Sequence, residues 1–199
     1  MIGLLRNHSI FKEIIFMSFL CLNSFALADD VYNIEQLAGQ KVVSAQYEMG
    51  VMYHEGIGVE KNYSKAFKWL LKAAHSNNAD AQYGVGYMHY KGEGVPKSYT
   101  KALEWYQKAA YQGNVNAQIN IGTIYYWGEG VSQDYLKALE WYKKAAEQDD
   151  AQAQSLIGLM YDKGEGVPQS HHKAVYWYQK SADQGYVDAQ KIIDNKISE

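Results

Sequence analysis

A segment of 36 residues recurs four times in this chain with no insertion between copies, and this period constrains the fold more than any other feature. The copies share Ala45, Ala81, Ala117 and Ala153, then Gly50, Gly86, Gly122 and Gly158, and then Trp69, Trp105, Trp141 and Trp177. A fixed period of this size is typical of solenoids, in which each unit buries its apolar face against its neighbours. We therefore predict a stack of four units, at residues 45–80, 81–116, 117–152 and 153–188.

Each unit is predicted to be a pair of antiparallel helices. Counted from its alanine, a unit has apolar residues at positions 1, 5 and 8, which is the spacing of one helical stripe, and glycines at positions 12 and 14 that end this first helix. The second helix carries Tyr-x-Lys-Ala-x-x-Trp-Tyr-x-Lys-Ala-Ala, seen most clearly at 99–110 and 135–146. Its predicted N-caps are Asn62, Ser98, Asp134 and Ser170, and its predicted ends are Asn77, Gly113, Asp149 and Gly185. The pattern predicts an all-α fold, an α/α solenoid of helix-turn-helix units.

The glycine at position 6 lies inside the first helix, where it costs up to about 1 kcal/mol relative to alanine. We expect it to allow a close approach of the second helix at a small residue. The expected partners are Ala66, Ala102, Ala138 and Ala174.

The two ends of the array are predicted to be caps. Residues 29–44 read as a degenerate half-repeat whose Leu37 and Ala38 could cover one end of the stack. Residues 189–199 restart the first-helix pattern but turn polar, with Asp194 in the place of the glycine. Because a stack needs polar outer faces, we predict that this segment is a terminal capping helix.

Residues 1–28 are predicted to be a secretory signal peptide. A polar head contains Arg6 and Lys12, an apolar stretch runs over 14–25, and Ala26-Leu27-Ala28 has the form of a cleavage site. The apolar stretch is short for a membrane span, so we expect cleavage after Ala28 and no stable membrane insertion afterwards. The alternative is an uncleaved anchor or a buried helix. If the peptide is cleaved, we expect the mature protein to be periplasmic or secreted in a bacterium.

Composition argues against several classes of function. Cys21 is the only cysteine among 199 residues and belongs to the predicted signal peptide, so the mature chain would hold no disulfide, iron–sulfur cluster or thiol nucleophile. The net charge is −3 and no run of lysine or arginine is present, which disfavours nucleic acid as a partner. His171 and His172 are adjacent and point about 100° apart on a helix, and the other histidines lack ligand spacing. We predict no metal and no cofactor.

These repeats resemble the Sel1-like repeat family, which is related to the tetratricopeptide repeat. The family's Ala-x-x-x-Leu-Gly-x-x-Tyr helix, Gly-x-Gly-Val loop and second-helix motif are matched at 81–110, 117–146 and 153–182, and more loosely at 45–74. The resemblance implies a right-handed α/α superhelix and a role as an adaptor or scaffold for other proteins. Some bacterial members are secreted and act at the cell envelope or on host cells. The penicillin-binding link of one cysteine-rich branch does not carry over, because its cysteines are missing here.

Positions 3, 7, 10 and 11 of the unit change from copy to copy and fall on the side of the first helix opposite the recurring residues. By resemblance to tetratricopeptide arrays, this side lines the concave groove, and its aromatic side chains suit peptide or sugar recognition. The predicted binding residues are Tyr47, Tyr83, Tyr87, Tyr90, Lys91, Thr123, Tyr126, Trp127 and Lys163. The alternative is that these aromatic side chains form the core between adjacent first helices. The recurring tyrosines and tryptophans of the second helices are expected in the core.

The sequence favours a monomeric, exported interaction module that binds a partner protein or peptide and has no catalytic residues. Ser98-x-x-Lys101 and Ser170-x-x-Lys173 match the Ser-x-x-Lys of penicillin-interacting enzymes, but a helix cap followed by a recurring lysine explains both. One alternative is a cell-envelope protein that binds glycan or acts as a penicillin-interacting, β-lactamase-like enzyme. Another is a secreted, host-directed effector.

Overall fold

Helices account for most of the computed structural model, which describes residues 24–197 and the side chains from Asp30 to Asp194. The described residues form ten helices and no strand. The helices are α1 Ser24–Gly39, α2 Val43–Glu55, α3 Tyr63–His75, α4 Ala79–Lys91, α5 Tyr99–Tyr111, α6 Val115–Trp127, α7 Tyr135–Ala146, α8 Ala151–Lys163, α9 His171–Ala182 and α10 Val187–Ile197.

The helices pack in the order in which they follow one another along the chain. Each first helix (α2, α4, α6, α8) packs most extensively on the second helix of its own unit (α3, α5, α7, α9). Each second helix then packs on the first helix of the next unit, and α1 and α10 extend the same order at the two ends. This arrangement is the predicted all-α solenoid.

Local hydrogen bonds confirm the predicted starts of the second helices. The backbone N–H of the third residue of each helix donates to the side chain of the cap. The four distances are 2.9 Å to Asn62, 3.3 Å to Ser98, 3.0 Å to Asp134 and 3.4 Å to Ser170. Both Ser-x-x-Lys motifs are therefore helix starts in this structure.

The predicted ends of the second helices are also confirmed. Gly113 and Gly185 take positive φ values of 89° and 83°, a conformation that glycine adopts without steric cost. Asn77 and Asp149, which replace glycine in the other two copies, both have φ of 65°. A residue in the left-handed conformation therefore ends the second helix in all four units.

The close helix crossing occurs at the recurring glycine, and for Gly86 it includes the predicted Ala102. A Cβ added at Gly86 would lie 3.2 Å from the carbonyl oxygen of Ala102. The sequence did not indicate the nearer contact, because the same Cβ would lie 2.6 Å from Cδ1 of Tyr106, a buried ring of the paired helix. The glycine therefore makes room for the Tyr106 ring as well as for the backbone at Ala102.

The N-terminal end of the stack differs in part from expectation. Ala38 of α1 is buried with Ala45, Met49 and Met52 of α2, as a covering residue should be. Leu37 is exposed instead, because consecutive residues of a helix point about 100° apart and only one of them can face α2. At the other end, α10 buries Ala189 and Ile193.

Most of the predicted signal peptide, residues 1–23, lies outside the described residues. The predicted cleavage point after Ala28 falls within α1. The residues that the structure describes contain no helix both long and apolar enough to span a membrane.

Candidate binding surface on the first helices

The structure separates the nine predicted binding residues into three groups by exposure. Tyr83, Tyr87 and Tyr126 are buried, with exposed fractions of 6%, 9% and 4%. Tyr47, Tyr90 and Thr123 are half-buried. Lys91, Trp127 and Lys163 are exposed, and the Trp127 side chain is 61% accessible.

The buried tyrosines of α4 pack between helices, which corrects their expected place on an open surface. The Tyr83 ring stacks on Tyr106 with ring centroids 5.6 Å apart, and it also contacts Tyr87 at 6.4 Å. Tyr87 contacts His54 of the preceding unit at 6.2 Å. Burial is the main cause that raises the pKa of the Tyr87 hydroxyl to about 12, so it stays protonated at neutral pH. For these residues the core interpretation is the correct one.

A row of polar contacts joins three of the first helices, α2, α4 and α6, to the loop of the next unit. The side chain at position 10 of one unit donates a hydrogen bond to the glutamate between the two loop glycines of the next unit. The bonds run from His54 to Glu93 at 2.8 Å, from Tyr90 to Glu129 at 2.8 Å and from Tyr126 to Glu165 at 2.5 Å. These bonds fix the spacing of adjacent units, so Tyr90 and Tyr126 also belong to the scaffold.

Sequence reasoning missed these glutamates, although a signal was present. Glu93, Glu129 and Glu165 recur in three loops, and the loop of the first unit has Ile57 in the same place. The glutamate is present in the three loops that follow a complete unit.

The recurring tyrosines that follow the tryptophan in the second helices occupy the core as expected, whereas those that open the motif, Tyr63, Tyr99 and Tyr135, are half-buried. Tyr106, Tyr142 and Tyr178 are among the largest fully buried side chains. The recurring tryptophans are less completely buried: Trp141 is buried, whereas Trp69, Trp105 and Trp177 are half-buried.

Trp127 is the exposed aromatic side chain of this face. It lies at the C-terminus of α6, where its indole makes an edge contact with the Tyr126 ring at 4.9 Å. Tyr126 is held from its other side by Lys163, whose Nζ donates to the hydroxyl over 3.1 Å. The indole therefore rests on a fixed ring and presents most of its area to solvent.

His54 contacts two carboxylates, and the one on Glu93 joins the first two units. Its Nδ1 lies 2.8 Å from Glu55 Oε1 and its Nε2 lies 2.8 Å from Glu93 Oε2. Because a carboxylate only accepts hydrogen bonds, both ring nitrogens must donate, which requires the charged imidazolium. Burial opposes that charge, but the hydrogen bonds to Glu55 and Glu93 outweigh it and raise the pKa of His54 above its usual value.

This contact predicts a pH-dependent stability. Because the pKa of His54 is raised in the folded state, the stabilisation by this contact is fully present below the unfolded pKa, about 6.5. It is lost as the pH rises through the folded pKa. The His54→Tyr variant places at this position the same hydroxyl donor that Tyr90 supplies in the next unit. A tyrosine hydroxyl does not titrate near neutral pH. We expect the unfolding free energy of the wild type, relative to His54→Tyr, to fall by about 1–2 kcal/mol between about pH 6 and about pH 9. Urea unfolding at both pH values measures it, and parallel profiles for the two proteins would contradict the charged contact.

A metal centre is not assembled in the part of the chain that the structure describes, where no group of three histidine, cysteine, aspartate or glutamate side chains could hold an ion. Among the predicted binding residues, Trp127 presents the largest exposed ring.

Comparison with known proteins agrees with this architecture. The sequence model of the Sel1 repeat matches residues 43–78, 79–114, 115–150 and 151–186, the same period with an origin two residues earlier. A Sel1 repeat protein from Oxalobacter formigenes is 37% identical, with a TM-score of 0.78, over 83% of this chain and 67% of that one. A protective antigen present in uropathogenic Escherichia coli strains, with an SLR fold, is 35% identical, with a TM-score of 0.76, over 82% of this chain and 35% of that one.

A curated relative is a putative sel1-like repeat-containing protein L18 from Acanthamoeba polyphaga mimivirus. It is 53% identical over 34 residues, which are 17% of this chain and 6% of the viral protein. The chain thus spans about a third of the Escherichia coli antigen and a small part of the viral protein. Sel1 repeats generally act as non-enzymatic modules of protein–protein interaction. With four consecutive matches to the repeat, the chain belongs to the Sel1 repeat family.

Proposed function

We propose that this chain is an exported adaptor that binds an extended segment of a partner protein in a groove along its first helices. The observation that carries the proposal is the exposed indole of Trp127. The scaffold does not require it, because Glu55, Lys91 and Lys163 hold the same position in the other units. Exposed tryptophans that packing does not explain are typical anchors of protein interfaces.

The charges around Trp127 suggest the character of the partner. Lys91 and Lys163 lie one unit away on either side, and both are exposed. The carboxylates of Glu129 and Glu165 accept hydrogen bonds from buried or half-buried tyrosines. A partner segment with an apolar residue for the indole and acidic residues near it would complement this face.

Affinity capture from a periplasmic extract tests the proposal, with wild type compared with Trp127→Lys. Lysine already occupies this position in two units, so the fold should tolerate it. The loss of an anchor costs about 2 kcal/mol or more, so we expect affinity for the captured protein to fall about 30-fold. Leu136→Lys is the matched control, because Leu136 is 63% exposed but lies on a second helix.

Two results would contradict the proposal. If Trp127→Lys retains every wild-type partner at unchanged affinity, the groove is not the binding surface. If fractionation finds the chain in the cytoplasm with residues 1–28 still attached, export is wrong. Recovery from the culture medium would instead favour the host-directed effector.

A further inference from the structure

The tryptophans of the second helices are normally covered by neighbouring side chains. A lysine three residues further on lies over the ring in the first three units. Its Nζ is 3.7 Å from the ring centroid of Trp69, 3.9 Å from that of Trp105 and 4.0 Å from that of Trp141. A second cover comes from the preceding unit, where His75 contacts Trp105 at 5.6 Å and Tyr111 contacts Trp141 at 6.1 Å.

Trp177 departs from this pattern in both respects. Glu147 occupies the position that His75 and Tyr111 hold in the earlier units, so no ring from the preceding unit covers the indole. Lys180 lies 6.0 Å from the Trp177 centroid, because its Nζ pairs with Asp149 at 3.1 Å instead. A cleft of about 300 Å³ opens at this junction of α7 and α9. It is lined by Lys143, Ala146, Glu147, Trp177 and Lys180.

We propose that this cleft binds a sugar ring, with the indole of Trp177 as the platform for its apolar face. The volume lies at the small end of ligand pockets and suits one ring rather than a folded partner. Glu147 accepts hydrogen bonds from sugar hydroxyls, and the ammonium groups of Lys143 and Lys180 donate to sugar oxygens. The site is on the second helices and is therefore separate from Trp127.

The charged groups at the rim of the cleft favour a sugar over an aromatic side chain of a partner protein. The local charges of Lys143, Lys180, Glu147 and Asp149 cancel, so the cleft suits a neutral ligand that both donates and accepts. A pyranose carries several hydroxyls and can pair with Glu147 and both lysines together. A phenol ring offers one hydroxyl at most, so it can pair with only one of these groups.

Glu147→Tyr tests the site by copying Tyr111 into the junction between the third and fourth units, where Glu147 takes the place of a ring. The probes are the soluble tetrasaccharides of glucose, N-acetylglucosamine and galactose, titrated by calorimetry. We expect the wild type to bind at least one probe with a Kd of about 1 mM or tighter, and Glu147→Tyr to bind it at least about tenfold more weakly. The variant should keep the wild-type midpoint of thermal unfolding, which separates a closed cleft from a damaged fold.

Asp183→Tyr is the matched control, because Asp183 has the same position in the fourth unit but does not line the cleft. It should bind the probe as the wild type does. The proposal is overturned if no probe binds more tightly than about 10 mM, or if Glu147→Tyr binds with unchanged affinity. It is also overturned if a tyrosine-containing peptide binds more tightly than the sugars and Glu147→Tyr blocks it.

Discussion

Replacing Gly86 with leucine should unfold the repeat array or lower its free energy of unfolding by at least about 3 kcal/mol. The first added carbon alone would meet the Tyr106 ring at 2.6 Å and the Ala102 carbonyl oxygen at 3.2 Å. Neither can yield easily, because Tyr106 is fully buried and the carbonyl is part of the α5 backbone. A thermal melt followed by circular dichroism measures the loss.

Gly39→Leu is the control for this experiment. Gly39 also lies in a helix, but a Cβ there meets nothing within 4 Å. We expect the control to melt within a few degrees of the wild type, or slightly higher, because glycine in a helix costs about 1 kcal/mol relative to alanine. Equal melting of Gly86→Leu and Gly39→Leu would show that the crossing is looser than the structure indicates.

The second large effect concerns the junction between units. We expect Gly94→Ala to lower the free energy of unfolding by about 3 kcal/mol, for two reasons that add. Gly94 has φ of +71°, which is strained for alanine, and its Cβ would lie 2.5 Å from the carbonyl oxygen of Tyr63 in the preceding unit. Because Gly94 lies against the backbone of the first unit, the added methyl group would force the two units to shift or separate. Urea unfolding measures the change.

Gly185→Ala separates the two causes. Gly185 has φ of +83°, but a Cβ there has no neighbour within 4 Å, so alanine pays only the backbone cost of about 1 kcal/mol. The difference between the two variants is then the contribution of packing between units. If both lose the same stability, contact with Tyr63 plays no part in joining the units.

Much of this fold can be predicted from sequence because it depends on local chemistry. The cap at Ser98 and the left-handed end at Asn77 each involve residues only a few positions apart, so a short sequence window contains the whole cause. The period then places these local units in register. The partner of Gly86 could not be obtained in this way, because residue spacing does not say whether a methyl group or the Tyr106 ring fills the crossing.

The candidate site shows the same limit to what the sequence pattern can predict. Helical periodicity groups Tyr83, Tyr87 and Trp127 on one side of the first helix. It does not say what each side chain packs against. Tyr87 contacts His54 of the preceding unit and is buried, whereas Trp127, at the end of its helix, is 61% exposed.

The amino-acid sequence alone therefore determined the repeat, the paired helices, their starts and ends, and the order in which they stack. Only the tertiary structure decided which variable side chains are core and which are surface, and it alone exposed the cleft at Trp177. The physical reason is that hydrogen bonds within a helix or turn act over a few residues. Burial instead depends on side chains supplied by a neighbouring unit some 36 residues away.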